Sequence, residues 1–422
     1  MIGARNLARR LHILRSYRNC SSLSSKGGER ENDSNHICVS DNFTDHKGMQ
    51  LCFLGTSSSI PTLRRNTSCL ALRLEKQTYL FDCGEGAQKQ FYKAHFQFGS
   101  VGSIFITHMH GDHIFGLPGL LSGLGLTTNS AEVKNIYGPE GLRRWIRETL
   151  RACHGGIHSK YAVHEFKMGE KPKSRRGAKQ DDRHDDELIG QDLYACADGL
   201  WHLYEDEHHS VKAGMVEHSI PCWGFILEEK PWHLKFDPQL ASALGVEEGR
   251  RFAMLQKGRS VMSIYGSKID PSMVRGDPKR GRKIAILGDT NNPMSLLEAA
   301  EGADVLVHEC TMLEEDASEA ELRGHSTASM AGKFANAIGA RCLVLTHFGS
   351  KFEGNPNHIQ TSVQAARLEF GREKVIAAED FMGVTVSQTD EPSVKWVRLR
   401  EGDRSLTPVP ASKRVPAWRN FS

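Results

Sequence analysis

Apolar residues along this chain come in short bursts, not long runs. Met49–Gly55 (MQLCFLG), Cys69–Leu74 (CLALRL) and Thr78–Gly84 (TYLFDCG) are apolar segments divided by turn residues, a pattern that predicts consecutive strands. Gly84–His95 then carries good helix formers, and Ser103–Thr107 (SIFIT) reads as another strand. After Pro118 the periodicity is helical, and Asn135–Leu150 reads as a strand, a Gly-Pro break and a helix. Strand patterning dominates Leu200–Glu228. From Lys283 onward the chain alternates. Strands are predicted at Lys283–Leu287, Asp304–Glu309, Cys342–Thr346 and Lys374–Asp380, with helices at Asn292–Gly302, Ser326–Gly339 and Gln360–Phe370. Strands alternating with helices predict a layered α/β architecture.

Two segments interrupt this order. Lys167–Asp192 is charged, nearly free of large apolar side chains, and turns from basic to acidic, which predicts a mobile loop. Pro231–Pro278 is glycine-containing and of intermediate hydrophobicity, and reads as a protruding arm. The folded domain is expected over residues 47–389, preceded by residues 1–46 as leader and linker and followed by a polar basic tail over 390–422.

Composition narrows the class. Hydrophobic residues make up 39% and charged residues 25%, an ordinary globular balance. No apolar run approaches the ~18 residues that would span a bilayer, so no membrane is expected. The formal charge is only +3, so a nucleic-acid surface would have to be a local patch. Ten cysteines without a C-x-x-C pair argue against a zinc ribbon or a disulfide scaffold and for a reducing compartment. The first ~30 residues are arginine-rich and serine-containing, with no acid before Glu29, and Leu7, Leu11 and Leu14 recur at helical spacing. They read either as an organelle transit peptide, mitochondrial before plastid, or as a basic tail of a cytosolic or nuclear protein.

The chemistry concentrates in Thr107–Leu117 (THMHGDHIFGL), where His108, His110, Asp112 and His113 fall within six positions. Extended backbone repeats its side-chain direction every second residue, so a strand ending at Thr107 delivers His108 and His110 to one side. Gly111 permits a turn, and Asp112 and His113 open the next helix facing the same space. One stretch can therefore serve two ions, and imidazole with carboxylate suits zinc, and also manganese or iron. Further ligands are expected at strand ends, where α/β sheets gather their sites: His218, Asp289 and His347. Asp289, with two oxygens, can bridge both ions. Glu309 at a strand end and His325 at a helix start form a second pair. They read either as a proton donor with its orienting carboxylate or as a structural link between strand and helix, with Ser326 or Thr327 as helix cap.

Taken together, FLGTSSSIPTLRRNTSCLAL, FDCGEG, THMHGDHIFGLPGLL, YGPEGL, HSIPCWGF, GRKIAILGDT, ADVLVHECT, GHST and LVLTHF resemble, in order, the metallo-β-lactamase fold, and within it the short-form tRNase Z family. The resemblance covers about Met49–Asp380. It implies a four-layered αββα sandwich and a tRNA 3′-processing endonuclease. It implies one metal held by His108, His110, His218 and Asp289, and a second held by Asp112, His113, Asp289 and His347. Asp112 is implied as proton acceptor, His325 as proton donor and Glu309 as its support. Leu244–Gly258 aligns with the family's arm motif, which grips the tRNA elbow. Its proline-rich core is here replaced by Glu247, Glu248, Gly249 and Arg250, while Arg250, Arg251 and Lys257 keep positive charge for phosphate contacts. A homodimer acting on precursor tRNA is implied. The alternative is a hydrolase of a small phosphodiester or thioester on the same fold. Arg64, Arg65, Lys279, Arg280 and Arg282 stand as further RNA-backbone contacts, or as plain surface ion pairs.

Overall fold

The computed structural model describes residues 48–396 apart from 128–132, 155–156, 158, 171–182, 232–235, 276–279 and 388–392. The N-terminal leader and linker, the centre of the charged loop, Lys279 and the end of the tail lie outside the described residues.

The described strands form two main sheets and a two-stranded ribbon in the arm. In the first half these are β1 (Met49–Gly55), β2 (Cys69–Arg73), β3 (Thr78–Phe81), β4 (Val101–Phe105), β5 (Lys134–Pro139) and β6 (Tyr161–Lys167), followed by the short β7 (Glu187–Leu188) and β8 (Asp192–Tyr194). Next come β9 (Trp201–Glu205), β10 (His209–Val216) and β11 (Cys222–Glu229), then two short arm strands, β12 (Val261–Met262) and β13 (Lys268–Ile269). The last are β14 (Lys283–Ile286), β15 (Val305–Glu309), β16 (Leu343–Thr346), β17 (Val375–Ala377), β18 (Met382–Val386) and β19 (Ser393–Trp396). One sheet runs β19-β18-β1-β2-β3-β4-β5-β6-β7, with β8 also on β6; the other runs β17-β16-β15-β14-β11-β10-β9. β3 to β6 are parallel, as are β14 to β17.

Side-chain alternation makes the layers. Met49, Leu51 and Phe53 of β1 and Ile284, Ile286, Val305 and Val307 of β14 and β15 meet in one core between the sheets. The intervening Cys52 and Leu54 pack with Ile114, Leu117, Leu121, Ile146 and Leu150 of the helices over the first sheet. On the second sheet Ala285, Leu306, Leu343 and Leu345 face Ala328, Ala331, Phe334 and Phe370. Three buried clusters thus separate four layers, helix-sheet-sheet-helix, as the sequence motifs implied. Among the described residues no helix is long and apolar enough to cross a membrane.

Two boundaries differ from the sequence reading. β7 lies inside the stretch read as a mobile loop and β8 begins at its last residue, Asp192; they pair in parallel with opposite ends of β6. They need no apolar run, because backbone hydrogen bonds hold them on a sheet edge, and the Glu187 carboxylate is buried against Arg147 (Nη2 to Oε1 2.7 Å). β19 lies in the segment assigned to the tail, antiparallel to β18 with Thr385 opposite Ser393. Four residues in a polar surrounding are too short a signal to outweigh composition. The arm is built of two short helices, Pro238–Ala243 and Arg250–Gln256, and the β12–β13 ribbon. It has its own small core of Ala241, Val246, Leu255, Val261, Ile269 and Val274.

Candidate metal centre

Strands of both sheets deliver their carboxyl ends to one place, β4, β14 and β16 from parallel runs and β10 from an antiparallel hairpin, and the candidate ligands sit on the turns that follow. Thr107 is held from both sides: its amide donates to Asp82 Oδ1 (2.8 Å) and its carbonyl accepts from Trp223 N (3.0 Å). That anchor places His108 and His110 at the mouth of the inter-sheet core. The helix Gly111–Ile114 follows at once and turns Asp112 and His113 back toward them. His218 follows β10, Asp289 follows β14, and His347 follows β16.

Two donor groups result. His110 Nδ1 lies 3.0 Å from His108 Nε2 and 3.3 Å from His218 Nε2. His347 Nε2 lies 3.2 Å from His113 Nε2 and 3.3 Å from Asp112 Oδ2. Asp289 spans both groups, its Oδ2 3.8 Å from His108 Nε2 and 3.6 Å from His113 Nε2. All seven residues expected from sequence are brought together.

The tautomers show what this arrangement suits. His113 Nδ1 donates to Asp82 Oδ2 (2.7 Å), and His218 Nδ1 donates to the Gly324 carbonyl (2.7 Å). Burial opposes a charge on His113, but the Asp289 and Asp82 carboxylates outweigh it and hold a proton there well above the usual range. Without that proton each ring turns a bare Nε2 lone pair into the pocket. There it faces other acceptors, including the Asp112 and Asp289 carboxylates. Lone pairs converging at 3.2–3.8 Å repel one another. A proton relieves one pair, whereas a divalent cation relieves a whole group, so the donor set fits metal. The carboxylates are ready for one. Burial opposes the charge of Asp289, but His347 and His113 hold its carboxyl well below the ordinary range. Asp112 is likewise held low by His347 and His113 against its burial.

Backbone strain marks the same spot. Ser59 (φ 63°), Asp82 (φ 58°) and His347 (φ 58°) adopt the left-handed conformation that non-glycine residues avoid, and all three touch the site. The Ser59 amide donates to Asp112 Oδ2 (2.7 Å), and Thr311 Oγ1 lies 2.9 Å from His347 Nδ1. Sequence reasoning did not single out Asp82, Ser59 or Thr311. Asp82 alone had a signal, standing directly after β3 as the ligands stand after their strands.

Glu309 and His325 complete the pocket. Glu309 is buried at the end of β15, and its Oε1 accepts from Thr290 N (2.8 Å) and from His325 Nδ1 (2.9 Å). Burial disfavours the imidazolium, yet the Glu309 carboxylate outweighs it and raises the His325 pKa to about 9. Nδ1 also lies 3.8 Å from Asp289 Oδ2. The expected helix cap is absent: Ser326 Oγ donates to the Thr290 carbonyl (2.5 Å), and Thr327 stands at the N-cap without a side-chain bond. Glu314 Oε1 accepts from Ser329 N instead (2.9 Å).

The basic residues divide between the two alternatives offered by the sequence. Arg65 donates to Thr56 Oγ1 (2.7 Å) and the Ala378 carbonyl (2.6 Å) and lies over the Phe348 ring. Arg282 forks onto Glu229 (2.8 and 2.7 Å), and Arg280 pairs with Asp304. These three brace the fold. Arg64 is exposed, and Lys279 lies outside the described residues. On the arm, Arg250 and Lys257 are exposed, and Arg251 pairs with Glu247 (3.2 Å).

Asp380 braces the loop that carries Ser59. Its carboxyl accepts from Thr56 Oγ1 (2.8 Å), Asn66 N (2.8 Å) and Gln90 Nε2 (2.9 Å). Burial pushes its pKa from 3.8 up to about 7, against the pull of those donors. Between these values the native state holds a proton that the unfolded chain has lost. The contribution of Asp380 to stability therefore falls as pH rises from about 4 to about 7 and is level above that. Asparagine can keep the network, its oxygen toward Asn66 and Gln90 and its amide toward Thr56. Asp380→Asn is expected to melt near wild type at about pH 4 or below, and increasingly above it as pH rises to about 7. A gap in melting temperature that does not change with pH sinks this account.

A profile of the Anti-Pycsar protein Apyc1 family matches residues 49–172. A ribonuclease Z of Gloeothece citriformis (strain PCC 7424) is 38% identical over 341 residues, covering 80% of this chain and 96% of that protein. The human zinc phosphodiesterase ELAC protein 1 is 36% identical over 357 residues, covering 80% and 98%. The crystal structure of human tRNase Z, short form (ELAC1), superposes with a TM-score of 0.55 at 28% identity, covering 80% of this chain and 99% of that one. A long-form RNase Z from yeast shares the fold, with a TM-score of 0.52 at 16% identity over 82% of this chain and 43% of its own.

Proposed function

The chain belongs to the ribonuclease Z family, and on that premise we propose that it removes the 3′ trailer from precursor tRNA by hydrolysing one phosphodiester. The observation that carries this reading is a single pocket holding seven converging His and Asp ligands beside the Glu309–His325 pair.

His108, His110, His218 and Asp289 would hold one ion, and Asp112, His113, His347 and Asp289 a second. Zinc suits these donors, and manganese or iron is compatible. When bound, the ions would lower the pKa of a water toward neutrality and offset charge gathering on the phosphate. The protein's own groups do the rest. Asp112, fixed by the Ser59 amide, orients the attacking water and accepts its proton. His325, kept protonated by Glu309, donates a proton to the departing ribose 3′-oxygen. The products are a tRNA ending in 3′-hydroxyl and a trailer beginning with 5′-phosphate. Cleavage of a 3′-extended precursor tRNA with both new ends mapped tests this. Hydrolysis of a small aryl phosphodiester with the precursor left whole favours the small-substrate alternative instead.

The arm supplies binding, with Arg250, Arg251 and Lys257 reaching backbone phosphates of the tRNA, in a homodimer whose arm serves the partner's substrate. Its small core is separate from the three others, so bridging residues 231–278 with a short linker exposes little of the main fold. That variant is expected to raise KM for precursor tRNA several-fold and to change turnover less. An unchanged KM sinks the role of the arm. The leader is read as a mitochondrial address, checked by imaging a fusion with and without residues 1–30.

A further inference from the structure

Phe115 (64% exposed) and Ile60 (60%) stand in solvent on segments that touch this pocket, and Leu63 (96%) follows Ile60 on the same loop. Scattered exposed apolar residues are ordinary on protein surfaces, so exposure alone argues nothing. What distinguishes Phe115 is where its ring is held. A Cβ placed on Gly111 would lie 2.2, 2.5 and 2.8 Å from Cε2, Cζ and Cδ2 of that ring. The ring therefore rests on the backbone of Gly111, between His110 and Asp112, and only a residue without a side chain allows it to do so. Its neighbours Ile114 and Leu117 are buried in the helix-side core, and the Phe115 amide closes back on the Gly111 carbonyl (2.9 Å). The backbone is thus fixed and the aromatic ring is left facing outward.

The other two residues come from a second segment tied to the same carboxylate. The Ser59 amide holds Asp112 Oδ2, and Ile60 is the next residue along. Two apolar tips, one aromatic and one aliphatic, therefore rise from segments anchored at Asp112. The pocket itself offers imidazoles and carboxylates. A phosphate seated on those groups is flanked by two nucleosides, each with an apolar π-face.

Resting on the ribonuclease reading above, we propose that Phe115 is a stacking platform for an unpaired nucleobase flanking the scissile phosphate, with Ile60 and Leu63 extending its apolar rim. Stacking on an aromatic ring tolerates any base, because every base has a π-face. It demands that the base be free of a helix stack, since single-stranded bases are the ones that can be splayed onto aromatic side chains. The site would thus select a single-stranded junction, not a sequence.

The test is a double-mutant cycle between protein and RNA. Precursor tRNAs carrying an abasic nucleotide immediately 5′ or immediately 3′ of the cut are cleaved by wild type, Phe115→Ala, Phe115→Leu and Phe115→Trp. Metal content and molecular mass in solution are measured for each protein. Phe115→Ala is expected to lower kcat/KM on intact RNA about 5- to 150-fold, the range of one lost base stack. Tryptophan should restore it and leucine should not. At one of the two abasic positions, Phe115→Ala should cost nothing further. Additive losses at both positions, or leucine matching tryptophan, overturn the stacking role. If Phe115→Ala instead splits a dimer and its loss is additive with both abasic sites, the rim belongs to a second copy of the chain. A wild-type protein that leaves the precursor whole removes the ribonuclease reading, and this inference with it.

Discussion

Replacing Asp289 by alanine is expected to abolish phosphodiester cleavage, with a fall of more than about a thousandfold, and to strip most bound metal. The size follows from its position. Asp289 is the carboxylate whose oxygens reach both donor groups: Oδ2 toward His108 and His113, Oδ1 3.4 Å from His347 Nδ1. It is buried and its carboxyl is held well below the usual range by His347 and His113, so its charge is already in place before a cation arrives. Without it, the imidazoles converge with one negative charge left among them, that of Asp112. Asp289→Asn tests charge against shape, since it keeps the volume but offers one neutral oxygen; it should fall nearly as far. Two measurements bear on the claim. Metal analysis should find wild type loaded and Asp289→Ala largely empty. Chelation should lower the melting temperature of wild type, because ligands that bind only the native state stabilise it, and should barely move that of Asp289→Ala. A folded, fully loaded and active Asp289→Ala protein removes Asp289 from the site.

The same residue shows what was readable in the sequence. Asp289 and His347 could be found because apolar bursts of about four residues alternate with helical periodicity, and each ligand stands two residues past the last apolar residue of its burst. The four layers were readable on the same grounds. Elements held by backbone pairing on a sheet edge were not: β7, β8 and β19 are short and polar, and hydrogen bonds leave no trace in hydrophobic periodicity. Arg65, Arg280 and Arg282 were left open between RNA contacts and ion pairs because charge is visible in a sequence while its partner is not. Their partners, Ala378, Asp304 and Glu229, lie 313, 24 and 53 positions away. Asp82 escaped for a related reason. It acts through His113, 31 positions on, by fixing a tautomer, and no spacing rule describes that.

Replacing His325 by alanine should lower turnover on precursor tRNA by about a hundred- to ten-thousandfold while metal content stays near wild type. His325 lies at the edge of the ligand cluster and does not complete it. It stands within ligand distance of His218 and Asp289, but its Nδ1 is committed to Glu309 at 2.9 Å, and the two donor groups of the seven ligands converge on other atoms. What it holds is a proton, on a ring whose pKa Glu309 lifts to about 9, so the ring is charged at neutral pH. A ribose 3′-oxygen leaves as a strongly basic alkoxide and needs that proton; a nitrophenolate leaves without one. The deficit of His325→Ala should therefore shrink sharply on an aryl phosphodiester with a good leaving group. Glu309→Gln should behave as a weaker version of the same lesion, because it keeps an acceptor for Nδ1 but removes the charge that holds the proton. Equal losses on both substrates would mean that His325 positions the phosphate and does not protonate the leaving group. Loss of metal in His325→Ala would make it a ligand and contradict the division of labour between the seven residues and the pair.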